Sequence, residues 1–202
     1  RTGLLNSDAW GTVQPGETSL YVLKPRDGCG CGDVQLVCLA RDEAAAPSAG
    51  VVQVVDEVPG AEYLWLLQPL QPGLHCSAGL IGRGEGLAVL LPAGEQVVEC
   101  QSGRFRYLGG SLPAAGAVQE AAGEMLRKLA AAMPDFRGWL GVDFVCGVDG
   151  EPRIVEINPR LCTSYVGYRQ LARFSLAGVM SGEIAVDDLG LAWRAERVDF
   201  RV

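Results

Sequence analysis

"GVDFVCGVDGEPRIVEINPR", residues 141–160, is the stretch on which the reading of the whole chain turns. Asp149-Gly150 sits between two runs rich in Val, Ile and Phe, the pattern of a β-hairpin. A two-residue loop at that pair sets Val148 against Glu151 and, further along the ladder, Asp143 against Glu156. Hydrogen-bonded and non-bonded pairs alternate in an antiparallel ladder, and the count gives Pro152 a non-bonded position, where its missing N–H costs nothing. The same count makes Asp143–Glu156 a non-bonded pair, its Cα atoms about 4.5 Å apart. Like charges directly opposite one another are destabilising. The pair needs a reason to exist.

Alternation supplies one. In "IVEINPRL" the side chains of Glu156, Asn158 and Arg160 share one face, and Val155, Ile157 and Pro159 share the other, apolar face that suits a core. Two carboxylates and an amide oxygen are hard donors, the set expected of a Mg2+ site that leaves room for phosphate oxygens and water. Arg160 beside them can hold a phosphate or a carboxylate through two parallel hydrogen bonds. A divalent cation then turns the facing acids from a cost into a binding site. The competing reading is a solvated hairpin face in which Arg160 neutralises one acid.

Composition narrows the partners. The 202 residues suffice for one large domain or two small lobes, and 49% hydrophobic with 20% charged residues describes a globular chain. A net charge of −7 argues against a general nucleic-acid surface. No apolar run reaches the roughly 20 residues of a membrane span, and "RTGLLNSDAW" does not have the form of a secretory leader. Seven scattered cysteines, an odd number, point to reduced thiols in a cytoplasm rather than a disulfide framework. The absence of an initiating Met is expected of a fragment or a processed chain.

Lysine is scarce: only Lys24 and Lys128 occur. Lys24 ends the strand-like "SLYVLKP" and precedes "RDGCGCGD", where Gly28, Gly30 and Gly32 would let backbone N–H groups approach an anion. A flexible turn between strands explains the same glycines equally well. Cys29 and Cys31 have no second Cys pair or His cluster to complete a zinc site, and His75, the only histidine, has no nearby acid to orient it.

"VQLVCLA", "VVQVVDEV" and "AEYLWLLQPL" read as strands, and "RDEAAAPSAG" as a loop or short helix. Residues 71–110 read as a meander of short strands with Gly-containing turns. "LPAAGAVQEAAGEMLRKLAAAM" is a helix, with Val118, Ala121, Met125 and Leu129 at helical spacing and Pro134 past its end. The hairpin follows, then a single helix over "TSYVGYRQLARFSLAGVMSG" and a closing strand at "RVDFRV". Strands, then helix, then hairpin argue an α+β chain of two lobes. The expected boundaries are an irregular segment 1–16, a small lobe 17–68 and a large lobe 69–202.

Taken in order, "YVLKPRDGCGCGDV", "LLQPLQPG", "GVDFV" and "VEINPR" resemble the successive signatures of ATP-grasp carboxylate–amine ligases. "RYLGG" and "EINPRLCTSYVGYR" look most similar to the subgroup containing tyramine–glutamate ligase. The resemblance covers roughly residues 18–180. It implies an ATP-grasp fold, two α+β lobes with a nucleotide between them, from which an N-terminal α/β domain is missing. It further implies that Lys24 contacts ATP phosphates and that Gly28, Gly30 and Gly32 close over them. Gln68 and Leu70 would meet adenine through backbone groups. Asp143, Glu156 and Asn158 would bind Mg2+ (or Mn2+), and Arg160 would steady an acyl-phosphate intermediate. Cys31 and Cys162 stand where relatives often carry Ser or Thr.

The expected function is an ADP-forming ligase joining a small-molecule carboxylate to an amine, with neither nucleic acid nor membrane as partner and a homodimer admitted as its assembly. Two alternatives remain: a nucleotide-binding or regulatory module without catalysis, and a thiol or metal-binding domain built on "GCGCG".

Overall fold

The computed structural model describes residues 3–4, 19–26, 31, 33–39, 53–54, 65–185 and 193–202. The chain divides into two compact units, 1–70 with 98–107, and 71–97 with 108–202.

The first unit is built on leucine-rich apolar residues in short strands. β1 (Gly3–Leu4), β2 (Ser19–Pro25), β3 (Gln35–Leu39), β4 (Gln53–Val54) and β5 (Trp65–Pro69) are its described strands. The order is β1-β5-β2-β3, antiparallel throughout, with β4 parallel to β3. Leu23, Val37, Trp65 and Leu67 are its buried apolar side chains. "SLYVLKP" forms β2 over the residues expected. "RDEAAAPSAG" and most of "VVQVVDEV" lie outside the described residues.

The second unit contains β6 (Leu74–Gly84), β7 (Leu87–Gln101), β8 (Arg104–Leu112), α1 (Gly116–Ala132), β9 (Arg137–Cys146), β10 (Pro152–Asn158), α2 (Tyr165–Leu171), α3 (Leu176–Ser181) and β11 (Val198–Arg201), the outer ends of β7 and β8 counting with the first unit. Its strand order is β8-β7-β6-β9-β10, with β11 on β8. The expected meander of short strands is instead three long ones. Glu85-Gly86 and Ser102-Gly103 make the tight turns, all four residues having positive φ, the geometry that matches the twist of a two-residue hairpin. Gly94 sits inside β7 for close packing: a Cβ there would press on the Ser111 carbonyl at 2.8 Å.

α1 lays Val118, Ala122, Met125 and Leu126 on Cys76, Ala78, Leu80, Leu140, Val142 and Phe144. Each large side chain so buried is worth about 1.5–3 kcal/mol. The single helix expected over 163–182 is two. Ala172 adopts an extended conformation and bridges Trp193, and Ser175 then caps α3 by accepting the Gly178 N–H at 3.1 Å. Competition from a local serine cap breaks the helix where propensity alone would continue it. Among the described residues no helix is long and apolar enough to cross a membrane.

Candidate active site

Along β6 and β9 the register is continuous, and it sorts the side chains into two faces. Cys76↔Phe144, Ala78↔Val142 and Leu80↔Leu140 face α1. The alternate rows, Ser77↔Asp143, Gly79↔Gly141 and Ile81↔Trp139, therefore take the opposite face. β10 extends two of those rows, placing Glu156 opposite Asp143 and Asn158 opposite Gly141. Asp143, Glu156 and Asn158 thus share one face of one sheet, away from the helix-covered core.

The hairpin reaches that register by a route the sequence does not suggest. Gly150 donates to the Gly147 carbonyl at 2.9 Å, and Gly147 donates to the Glu151 carbonyl at 3.1 Å. The loop is therefore three residues, Val148 to Gly150, with Gly150 at φ 79° in the left-handed position such loops require. Asp149 holds it by accepting from the Glu151 N–H at 3.1 Å and from Arg153 at 2.6 Å. Those bonds, Arg153 foremost, keep the Asp149 carboxyl well below the usual carboxylate range. The three-residue loop sets Pro152 against Cys146, one residue away from the expected register. A β-bulge between Ile154 and Glu156 then inserts one residue and restores Glu156 to Asp143. The two departures cancel.

The apolar face of β10 is not a closed core. Ile154 and Ile157 are each 40% exposed, because β10 is the last strand of the order and α1 covers mainly β6 and β9. The polar face is the more enclosed one at its end, where Asn158 is 7% exposed.

Asp143 is held at both oxygens. Gln96 Nε2 donates to Oδ1 at 2.8 Å and Asn158 Nδ2 donates to Oδ2 at 3.3 Å. An amide that gives its nitrogen to a carboxylate keeps its oxygen for another partner, so Asn158 Oδ1 remains a donor atom for a cation. Among the described residues no three His, Cys, Asp or Glu side chains gather into a metal cluster. Two carboxylates and one amide are too few to cage an ion. They suit Mg2+, which keeps waters and shares its sphere with phosphate oxygens.

Arg160 lies beyond the end of β10, so strand alternation does not place it. Its N–H bonds the Asn158 carbonyl at 2.8 Å in a tight turn over Pro159, and its guanidinium is exposed, donating to the Leu161 carbonyl at 3.3 Å. The turn sets the Arg160 carbonyl against Cys162, whose Sγ–H donates to it at 3.5 Å. Burial above all, then the Asp143 charge, pushes the Cys162 thiol up to about 11. Cys162 Sγ fills the space a Cβ would take on Gly141. Further along the same face Trp139 meets Tyr165 and Tyr168 edge-on, at 5.5 and 5.6 Å between ring centres. His75 stands on this face opposite Val145, its pKa lowered by burial.

Lys24, in the first unit, is 8% exposed near the end of β2, opposite Leu66. Gly28, Gly30 and Gly32, with Cys29, lie outside the described residues. Gln68 pairs with Val22, and Leu70 donates its N–H to the Leu20 carbonyl at 3.0 Å. In an antiparallel ladder alternate residues turn both backbone groups to the same neighbour. Gln68 and Leu70 therefore turn their ladder-bonded groups toward β2. The intervening Pro69 turns its carbonyl the other way. Gln96 is the site residue that sequence alone misses, because its partner lies two strands away and no local spacing signals the contact.

The family model for the ATP-grasp domain matches residues 12–164, and the chain belongs to that family. Its fold is the ATP-grasp fold. An ATP-grasp superfamily protein from Archaeoglobus fulgidus is 25% identical with a TM-score of 0.52, over 85% of this chain and 49% of that one. The L-amino acid ligase of Bacillus licheniformis is 16% identical with a TM-score of 0.62, over 89% and 41%. The biotin carboxylase domain of Hydrogenobacter thermophilus 2-oxoglutarate carboxylase, solved with MgADP and bicarbonate, is 16% identical with a TM-score of 0.62, over 92% and 41%. The chain thus spans less than half the length of these structures. Among curated proteins, none matches it.

Proposed function

We propose that the chain is the nucleotide- and metal-binding part of an ATP-dependent ligase that joins a carboxylate to an amine. The observation that carries this reading is the row Asp143–Glu156 with Asn158 beside it, on the face of the sheet opposite α1. Family membership supports ATP as the phosphoryl donor, and the Mg2+-bound nucleotide in a structural neighbour supports the metal.

In this reading Lys24 supplies a point charge to the ATP phosphates, and Asp143, Glu156 and Asn158 hold Mg2+. The ion, when bound, neutralises phosphate charge that develops during transfer. The substrate carboxylate attacks the γ-phosphorus, the bond to ADP breaks, and an acyl phosphate forms. The amine nitrogen then attacks the acyl carbon, phosphate leaves, and the nitrogen loses its proton. Arg160, its guanidinium exposed, steadies the acyl phosphate bidentately. The protein supplies position and electrostatics; no nucleophile of its own is required. The strand end Gln68–Leu70, with the Pro69 carbonyl facing away from β2, is set against the adenine in this reading. The similarity of "RYLGG" and "EINPRLCTSYVGYR" favours the tyramine–glutamate ligase-like subgroup, a cytoplasmic enzyme with Mg2+ replaceable by Mn2+, and a homodimer as its assembly.

Glu156→Gln tests the assignment. Substrate-dependent ADP release is expected to vanish while the fold, followed by circular dichroism, stays intact. Unchanged turnover refutes it, and ATP binding without phosphate release for any acid–amine pair would favour a binding module instead.

A further inference from the structure

We infer that Gln96 is a positioning residue for the metal site: it fixes the Asp143 carboxylate in the orientation a divalent cation needs. This rests on the metal reading above and goes beyond the three ligands by assigning a role to a side chain on a different strand.

Gln96 lies on β7, next to Glu95, which pairs with Cys76 of β6. Asp143 lies on β9, and β6 runs between the two strands. Gln96 therefore reaches across a whole strand, and the residue of β6 directly opposite Asp143 is Ser77, a small side chain that leaves the path open. The bond is good: Nε2 to Oδ1 is 2.8 Å, against 3.3 Å for the Asn158 contact with Oδ2. A carboxylate only accepts, so Gln96 must present its NH2 and not its oxygen. With one amide on each oxygen, the plane of the carboxylate is set from two sides. Gln96 is only partly buried and belongs to neither the α1 core nor the aromatic cluster. Its contact with Asp143 joins residues 47 positions apart. Partners that orient metal ligands in this way typically change metal affinity 10–100-fold when removed.

The experiment measures Mn2+ binding by electron paramagnetic resonance, with no turnover involved, in wild type, Gln96→Met and Asp143→Asn. Methionine keeps the length and volume of Gln96 and removes the donor. Gln96→Asn, whose amide is too short to span β6, serves if the methionine variant does not fold. The expected result is a dissociation constant raised about 10–100-fold in the Gln96 variant, an unchanged melting temperature, and activity recovered at saturating metal. That last split between metal KM and kcat is one a merely structural role would not give. A Gln96 variant within twofold of wild type, with Asp143→Asn abolishing binding, overturns the inference and leaves the metal reading standing. Wild-type binding in both variants would overturn the metal reading itself.

Discussion

A methyl group placed on Gly141 would fall on Cys162 Sγ. Gly141→Ala is therefore expected to cost about 1–3 kcal/mol, the usual penalty of overpacking, and Cys162→Ala should recover most of it, since the remaining carbon contact is 3.4 Å. Urea midpoints of the two single variants and the double variant check this; additive losses would contradict it. Cys162 itself is a packing residue rather than a reactive one. With its thiol near 11, about one molecule in a thousand is thiolate at pH 8. Iodoacetamide mapping should accordingly show exposed Cys100 modified well before Cys162. His75 carries the opposite kind of signal. Burial lowers its folded pKa below 6.5, so the unfolded chain takes up the proton first. Its contribution is complete above pH 6.5 and is lost as pH falls toward the folded value. Wild type should lose more stability than His75→Gln between pH 7.5 and about 5, and parallel curves would rule the effect out.

Elements show best which features were legible in the sequence. The hairpin, α1 and the strand ending at Lys24 were readable because short-range pattern determines them: Asp-Gly between apolar runs, a 3.6-residue repeat, an apolar run closed by Pro. The facing of Asp143 and Glu156 was readable too, though by compensation. A one-residue longer loop and a one-residue bulge are invisible to a count that assumes a regular ladder. Arg160 escaped alternation because the strand stops at Asn158. Gln96 and the polar ends of long-range pairs leave no periodic trace at all. The broken helix at Ala172 was hidden because the Ser175 cap acts together with a bridge to Trp193, which is distant in sequence. α1 carries another such contact. Gln119 Oε1 accepts the Ala93 N–H at 2.9 Å and Gln119 Nε2 donates to the Ala93 carbonyl at 2.6 Å, so a side chain stands in for a neighbouring strand. Replacing it with methionine leaves the enclosed Ala93 N–H wanting a partner, while the Ala93 carbonyl keeps the Ala114 N–H at 2.8 Å; the loss is about 1–3 kcal/mol. Chemical denaturation would measure it, and a change below about 0.5 kcal/mol would show that water or a strand shift takes over.

At the scale of the molecule, a chain of net charge −7 must take up a polyanion such as ATP by local means. Lys24 and a bound cation are those means in this account. Nucleotide and metal should consequently bind together: each tightens the other by the same factor. The direct test is calorimetry of a non-hydrolysable ATP analogue, with and without Mg2+, on wild type and Asp143→Asn. The account predicts that Mg2+ strengthens nucleotide binding at least tenfold in wild type, about 1.4 kcal/mol, and has no such effect in the variant. Equal enhancement by Mg2+ in both proteins would contradict it.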